Sequence, residues 1–224
     1  MSNPASNKFF DAVFFDMDGL TIDSEPKWLE SEIELAARFG YQWTLEDQAY
    51  CLGGPLIKLG NYMASLTNSA EPGEFFKSEI IKLMVAKTLQ SATFMPGAKE
   101  LLHELHQQGI PLALVSASPR VIVDAALSHV QPTPFQMTIS ADEVRNTKPD
   151  PEGYLKAAQL LGVDIRNCLI LEDSATGVQA ARASGAKVIA VPHLVKIEED
   201  NQTKVIKSLT ELNYPLLKEF FINW

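Results

Sequence analysis

The chain has 224 residues, of which 46% are hydrophobic and 21% are charged, and its net charge is −9. This composition is typical of a globular protein, and the acidic balance argues against a nucleic-acid partner, because binding to a phosphate backbone favours a basic surface. No apolar run approaches the roughly 20 residues that a membrane helix needs, and the first eight residues lack the apolar core of a signal peptide. We therefore expect a cytoplasmic protein that has neither a nucleic-acid partner nor a membrane partner.

Near the start of the chain, an apolar run ends in two carboxylates. Residues 12–15 have the continuous apolar character of a strand buried inside a parallel sheet, and Asp16, Asp18 and Gly19 follow it at once. Because an unpaired buried charge is very costly, these carboxylates need a neutralising partner, which we interpret as a divalent cation accompanied by a phosphate. On this stretch alone, a calcium loop and a purely structural acidic turn remain open, although Gly19 follows too soon for an EF-hand loop.

The next part of the chain has helical patterns and no convincing strand. The predicted helices run from Pro26 to about Phe39, begin again near Thr44, and continue over 55–67 and 73–90. We therefore predict an all-helical cap domain at 26–91, inserted into a core domain formed by 1–25 and 92–224.

From Met95 onward, predicted strands alternate with predicted helices. After the strand at residues 10–16, the expected strands cover about 110–115, 135–139, 168–171 and 187–191, with a short one near Val205. This alternation predicts an α/β fold, a Rossmann-like parallel sheet with helices on both faces. A C-terminal helix is expected to follow the last strand.

Polar residues stand where the predicted strands end. Ligands of such sheets bind at the carboxyl ends of the strands, so we expect these side chains to converge at one edge. They are Asp16 and Asp18 after the first strand, Ser116 after the second, Lys148 in the loop after the third, and Glu172 and Asp173 at the fourth.

In the order and spacing of these residues, the chain resembles the haloacid dehalogenase-like phosphatase superfamily over nearly its whole length. The run from Asp16 to Pro26 is particularly similar to the subgroup that contains beta-phosphoglucomutase and the sugar-phosphate phosphatases, notably the hexitol and deoxyglucose phosphate phosphatases. The four matching motifs are Asp16-Met-Asp18-Gly-Leu-Thr, Val115-Ser-Ala-Ser118, Lys148-Pro149 and Leu171-Glu-Asp-Ser174.

The resemblance implies a division of labour between the first two aspartates. Asp16 would be the nucleophile, and Asp18 the general acid and base, protonated when it meets the leaving group and ionised when it activates water. Cleavage of a carbon–halogen bond would not need a carboxylate at position 18. The pair therefore favours phosphoryl transfer over dehalogenation.

The resemblance also implies the binding residues. Ser116, the backbone N–H of Ala117 and Lys148 would hold the transferring phosphoryl group. Mg²⁺ would be held by Asp173, the Asp16 carboxylate and the Asp18 backbone carbonyl, with Glu172 beside the metal site.

One alternative is a beta-phosphoglucomutase-type mutase. Those enzymes resemble this chain but carry a histidine at the position of Trp28 and an arginine in the loop corresponding roughly to 52–57, and this chain has no arginine there. A mutase must hold a second phosphate, for which an arginine is well suited, so its absence favours a phosphatase. Lys58 is a partial substitute, and Trp28 is either hinge packing or a wall of the substrate pocket.

We therefore predict a Mg²⁺-dependent phosphatase that acts through an aspartyl-phosphate on a small phosphorylated metabolite, a sugar or sugar-alcohol phosphate, as a monomer or weak dimer. A catalytically silent binding protein on the same fold is the third hypothesis. His103 and His106 lie one helical turn apart, but a zinc site needs further ligands, so a solvated helix face is expected there. Cys51 and Cys168 are expected to be buried and unpaired.

Overall fold

The computed structural model describes residues 9–52, 54–193 and 196–224. Within these ranges, six strands form one parallel sheet in the order β3-β2-β1-β4-β5-β6. The strands are β1 (Ala12–Phe15), β2 (Leu112–Val115), β3 (Met137–Ile139), β4 (Cys168–Glu172), β5 (Lys187–Ala190) and β6 (Thr203–Val205). The predicted parallel α/β sheet is therefore confirmed.

The helices of the described residues follow the predicted pattern closely. They are α1 (Glu25–Arg38), α2 (Leu45–Cys51), α3 (Leu56–Leu66), α4 (Gly73–Gln90), α5 (Ala98–Gln107), α6 (Arg120–Leu127), α7 (Glu152–Leu161), α8 (Ala175–Ser184) and α9 (Tyr214–Ile222). Local chemistry explains their ends. Thr44 and Asp47 form a reciprocal capping box at the start of α2, and Gly162 ends α7 with a φ of +70° that favours glycine.

The start of α7 differs by one residue from the expected one. The Asp-Pro pair at 150–151 predicts an N-cap at Asp150 and a first helical residue at Pro151, whereas Pro151 is the N-cap and α7 begins at Glu152. The Asp150 side chain accepts a hydrogen bond of 2.9 Å from the Glu152 N–H instead. Asp150 therefore still satisfies one of the unpaired donors at the helix start.

The centre of the sheet is buried on both faces, which explains the uninterrupted apolar runs. Every residue of β1, β2 and β4 is buried. In the register, Phe14 lies between Ala113 and Ile170, and these three side chains belong to one core cluster with Tyr154 of α7 and Val178 of α8. Side chains alternate along a strand, so Val13 and Phe15 point to the opposite face, where they are also fully buried.

The chain divides into two compact units. One contains the chain up to Ile22, Phe94–Arg120 and Val130–Trp224, and it holds the whole sheet. The other contains Asp23–Thr93 and Val121–His129, and the regular structure among its described residues is helical. Its core packs Leu35, Trp43, Met63, Phe76 and Ile80 together. The assignment of a cap role to 26–91 and of a core role to 1–25 and 92–224 stays a prediction.

The last two features of the fold are the state of the cysteines and the character of the helices. Cys51 and Cys168 are both buried and free, as predicted. None of the helices formed by the described residues combines the length and the apolar character needed to cross a bilayer.

Candidate active site

The turn after β1 brings two carboxylates out of the buried sheet. The Thr21 hydroxyl donates a hydrogen bond of 2.6 Å to the Asp16 carbonyl, and the Gly19 N–H donates one of 2.9 Å to the Ile22 carbonyl. Gly19 has a φ of +82°, and a Cβ atom there would overlap the Asp173 carboxylate. This turn therefore needs glycine for its backbone conformation and for the close approach of the β4 end.

The structure brings the predicted side chains to the same edge of the sheet. In the parallel register, Phe15 pairs with Leu114 of β2 and with Leu171 of β4, so the residues that follow these three strands leave the sheet side by side. Asp16, Ser116, Glu172 and Asp173 are all buried there. Lys148 reaches the same place from the loop between β3 and α7.

Lys148 bridges two carboxylates. Its ammonium group donates to the Asp16 Oδ1 atom and, at 2.5 Å, to the Glu172 Oε1 atom, and its side chain is only 9% exposed. Burial by itself would lower the pKa of Lys148, but the charges of Asp16 and Glu172 outweigh burial and hold the pKa well above its usual value. The site therefore contains a permanent, almost fully buried cation next to Asp16.

Glu172 is held by four donors. Its Oε1 accepts from Lys148 and, at 2.6 Å, from the Tyr154 hydroxyl; its Oε2 accepts from the Asp173 N–H at 3.1 Å and the Ser174 hydroxyl at 3.3 Å. A carboxylate offers about four acceptor positions, so these donors use its capacity. The carboxylate also fits against Gly177 of α8, where a Cβ atom would overlap it.

Asp18 is oriented by two serines. The Ser116 and Ser118 hydroxyls donate to its Oδ2 atom at 3.1 and 2.8 Å, and the Ser118 N–H donates to the Ser116 Oγ at 2.9 Å. Ala117 lies between the two serines in this turn. The two serines therefore orient the Asp18 carboxylate, whose charge also acts on Asp16.

An excess of negative charge remains around Asp16 and Asp173. Oxygen atoms of Asp16, Glu172 and Asp173 lie within 4.8 Å of one another. Burial, together with the charges of Asp16 and Glu172, raises the pKa of Asp173 to about 9, and burial raises the pKa of Asp16 to about 8 although the charge of Lys148 opposes the shift. The single positive charge of Lys148 therefore does not neutralise the negative charges of these carboxylates.

The residues fit a divalent cation. Among the described residues, the Asp173 Oδ1 atom is the one buried side-chain oxygen or nitrogen without a hydrogen-bond partner. A buried, unsatisfied carboxylate oxygen next to a second carboxylate is the donor set that a hard cation such as Mg²⁺ prefers. Since Glu172 is already held by four donors, Asp16 and Asp173 are the carboxylates that could take the metal.

Sequence reasoning assigned no role to three residues that the structure places at the site. They are Thr21, Ser118 and Tyr154. Ser118 carried a signal, because it stands two residues after Ser116 in the same turn. Tyr154 carried a weaker one, because a buried tyrosine needs a partner for its hydroxyl.

The remaining candidates have other contacts. His103 contacts Gln107 on the same helix, and within the described ranges no group with metal-binding spacing includes a histidine. Trp28 packs against the core of the helical unit, and Lys58 donates to the Tyr50 carbonyl at 2.6 Å and lies 4.2 Å from the centre of its ring. Within the 52–57 loop, Gly53 lies outside the described residues.

Comparisons with known proteins agree with this geometry. The family model described as haloacid dehalogenase-like hydrolase matches residues 13–191. The chain is 30% identical over its whole length to the bifunctional riboflavin kinase/FMN phosphatase of Arabidopsis thaliana, of which it spans 58%. It is also 30% identical to hexitol phosphatase B of Escherichia coli, over 81% of this chain and 83% of that protein.

A solved structure gives the same result for the fold. The crystal structure of beta-phosphoglucomutase from Clostridium difficile is similar with a TM-score of 0.79, over 96% of this chain and 98% of the other, at 22% identity. These matches confirm the predicted family. The chain belongs to the haloacid dehalogenase-like hydrolase family, and phosphatases are among its relatives.

Proposed function

We propose that the protein is a Mg²⁺-dependent phosphatase that hydrolyses a small phosphorylated metabolite, a sugar or sugar-alcohol phosphate. The observation that carries the proposal is the convergence of Asp16, Lys148 and the serine-held Asp18 at one sheet edge. The substrate class is supported by the similarity to a protein named hexitol phosphatase, which spans most of both chains.

Asp16 is the nucleophile in this proposal. Its free carboxylate oxygen attacks phosphorus, a bond forms between Asp16 and the phosphoryl group, and the bond to the leaving-group oxygen breaks. Asp18 gives its proton to that oxygen, so that the product leaves as an alcohol. Splitting one slow displacement into two steps is the gain from covalent catalysis.

The second step regenerates the enzyme. A water molecule attacks phosphorus, Asp18 takes its proton, and the bond between Asp16 and the phosphoryl group breaks to release inorganic phosphate. Lys148 and the serine turn with Ala117 supply positive charge and N–H donors to the phosphoryl oxygens during both displacements. Mg²⁺ bound by Asp16 and Asp173 would offset the repulsion between the nucleophile and the phosphate dianion.

The test is a phosphate-release screen with purified protein across sugar and polyol phosphates, with Mg²⁺ or with EDTA. Asp16→Asn should lower turnover at least about a thousand-fold, because it removes the nucleophile. Asp11→Asn, the same change just before β1, is the matched control and should keep turnover. Substantial turnover in Asp16→Asn would contradict the mechanism.

The same panel separates the alternatives. If a sugar 1-phosphate were isomerised to the 6-phosphate faster than phosphate was released, the protein would be a mutase. If no compound were hydrolysed and no phosphate analogue bound with Mg²⁺, it would be a silent binding protein. Lys58, the candidate for holding a second phosphate in a mutase, already donates to the Tyr50 carbonyl, which supports the phosphatase.

A further inference from the structure

We propose that Tyr154 is a positioning residue of the phosphate site, which acts through Glu172 to hold the Lys148 ammonium group beside Asp16. This inference deepens the proposed function and rests on it for the role of Lys148. It concerns a residue that does not itself reach the reacting atoms.

The position of Tyr154 in the fold points to a role beyond core packing. It lies in the first turn of α7 and is fully buried, and its ring stacks on Phe14 of β1 with centroids 6.4 Å apart and planes 14° apart. Gly153 before it allows α7 to approach the sheet, because a Cβ atom there would lie 3.0 Å from Val115. The helix start is thus fixed against β1 and β2, and the phenol hydroxyl is fixed with it.

The hydroxyl meets the same oxygen that Lys148 uses. Tyr154 and Lys148 donate to Glu172 Oε1 at 2.6 and 2.5 Å, and the ammonium nitrogen lies 5.2 Å from the centre of the Tyr154 ring. The tyrosine therefore contacts Lys148 through its ring and shares one carboxylate oxygen with it. Hydrogen bonds to a charged acceptor are among the stronger ones in proteins.

The shared oxygen determines how strongly Glu172 attracts the ammonium group. With the phenol bond in place, part of the Glu172 charge is compensated and Lys148 is shared with Asp16. Without that bond, the buried carboxylate would attract the ammonium group more strongly, because Lys148 would be the main compensation left on that oxygen. Lys148 would then move towards Glu172 and away from the phosphoryl group.

Tyr154→Phe isolates this effect, since it keeps the ring against Phe14 and over Lys148 and removes only the hydroxyl. A displaced cation matters most in the transition state, so we expect kcat for p-nitrophenyl phosphate to fall about ten-fold with KM changed less than about three-fold. The matched control is Tyr214→Phe, which removes a phenol hydroxyl from α9 in the same unit and should leave both constants unchanged.

A binding measurement tests the inference without turnover. By calorimetry with Mg²⁺, we expect Tyr154→Phe to bind orthovanadate about ten-fold more weakly, because orthovanadate mimics the transition state once a nucleophile makes it five-coordinate. Inorganic phosphate should bind less than about three-fold more weakly. A purely structural role would lower the number of binding sites or the unfolding temperature and leave both dissociation constants unchanged.

A double-mutant cycle with Lys148→Met gives a second route. If Tyr154 acts through Lys148, the added Tyr154→Phe change should alter turnover less than about two-fold once the ammonium group is gone. Equal effects of Tyr154→Phe in both backgrounds would overturn the inference.

The outcomes distinguish the two proposals. Wild-type protein that hydrolyses p-nitrophenyl phosphate and binds orthovanadate, with Tyr154→Phe indistinguishable from it, overturns only the role of Tyr154. Wild-type protein that neither hydrolyses the ester nor binds either anion overturns both the proposed function and this inference.

Discussion

The Ser118 hydroxyl donates a hydrogen bond of 2.8 Å to the Asp18 carboxylate, although the two residues lie 100 positions apart in the chain. Ser116 donates to the same oxygen at 3.1 Å. If Ser116 turns its hydroxyl to a bound phosphoryl group, as the proposed function requires, Ser118 still donates to Asp18. The second serine would therefore keep the acid and base in place during the reaction.

We expect Ser118→Ala to lower kcat about five- to ten-fold, because Asp18 would lose a hydrogen bond of 2.8 Å that helps to orient it. Ser118→Thr keeps a hydroxyl and is the matched control, with activity expected closer to wild type. Steady-state kinetics with p-nitrophenyl phosphate measure both. Wild-type kcat in Ser118→Ala would show that the Ser118 hydroxyl is not needed to orient Asp18.

Gly177→Ala in α8 should reduce both the stability and the turnover of the protein, because it crowds Glu172. A Cβ atom at this position would overlap the Glu172 carboxylate, so either α8 or Glu172 must move. We expect a loss of about 1–3 kcal/mol in the free energy of unfolding, from overpacking, together with reduced turnover because Lys148 shares that carboxylate. Denaturant unfolding and kinetics of the same samples check this.

The control for that change is Gln179→Ala on the exposed side of the same helix. It adds no contact to Glu172 and should leave the unfolding free energy within about 0.5 kcal/mol. If Gly177→Ala were as stable and active as this control, the space between position 177 and the Glu172 carboxylate would have to be larger than the structure indicates.

Mg²⁺ should stabilise the protein through Asp173. A ligand that binds only the folded state raises stability by about 2.7 kcal/mol when its concentration is 100 times its dissociation constant. The unsatisfied Asp173 Oδ1 atom is the oxygen that would bind Mg²⁺. We expect Mg²⁺ to raise the unfolding temperature of wild-type protein and to have little effect on Asp173→Asn. Differential scanning calorimetry with and without Mg²⁺ measures this independently of activity.

In metal-free buffer, Asp173→Asn should be more stable than the wild-type protein. The raised pKa of Asp173, about 9, means that folding at pH 7.5 requires proton uptake, which costs stability. Asp173→Asn removes this cost, so we expect it to be about 1–3 kcal/mol more stable than wild type without Mg²⁺. Asp11→Asn serves as the control and should respond to Mg²⁺ like the wild type.

Glu32 predicts a pH dependence of the helical unit. It is buried and accepts a hydrogen bond of 3.0 Å from the Trp43 ring N–H, and burial raises its pKa from 4.5 to about 8. Between these values, the folded protein keeps a proton that the unfolded chain has lost. The contribution of Glu32 is therefore fully present below about pH 4.5 and is lost as the pH rises towards 8.

Glu32→Gln should consequently stabilise the protein more at pH 8 than at pH 5.5, by an order of a few kcal/mol, since one pKa unit corresponds to about 1.4 kcal/mol. Glu34→Gln is the control on the same helix, because ion pairs with Lys87 and Arg38 lower the pKa of Glu34 and its titration ends before this range. Parallel stability curves for wild type and Glu32→Gln would contradict the prediction.

The sheet could be predicted from the sequence because its central strands are buried on both faces and end in polar residues. Asp16, Ser116 and Asp173 each follow a strand directly, so parallel order alone brings them together. The predicted roles of these residues in catalysis and metal binding stay predictions until they are tested by substitution.

Tertiary contacts limited what could be predicted. The partner of Tyr154 is Glu172 on another strand, and helical periodicity does not say which buried carboxylate a phenol will reach. The need for glycine at position 177 depends on a side chain that approaches from β4. The helix start at Glu152 differed by one residue because both Asp150 and Pro151 are favourable there.

The parallel arrangement of the strands also places Asp16 and Asp173 at one end of the sheet, at the carboxyl ends of the strands. The turn before β4, with Asp164 and Arg166 paired at the surface, lies at the amino ends of the strands, opposite Asp16 and Asp173. Arg166 is 78% exposed, so Arg166→Cys would provide an attachment point there. Protein immobilised through that thiol should have the predicted active site on the side that faces away from the support. This turn is therefore a suitable attachment site for single-molecule or surface-bound assays.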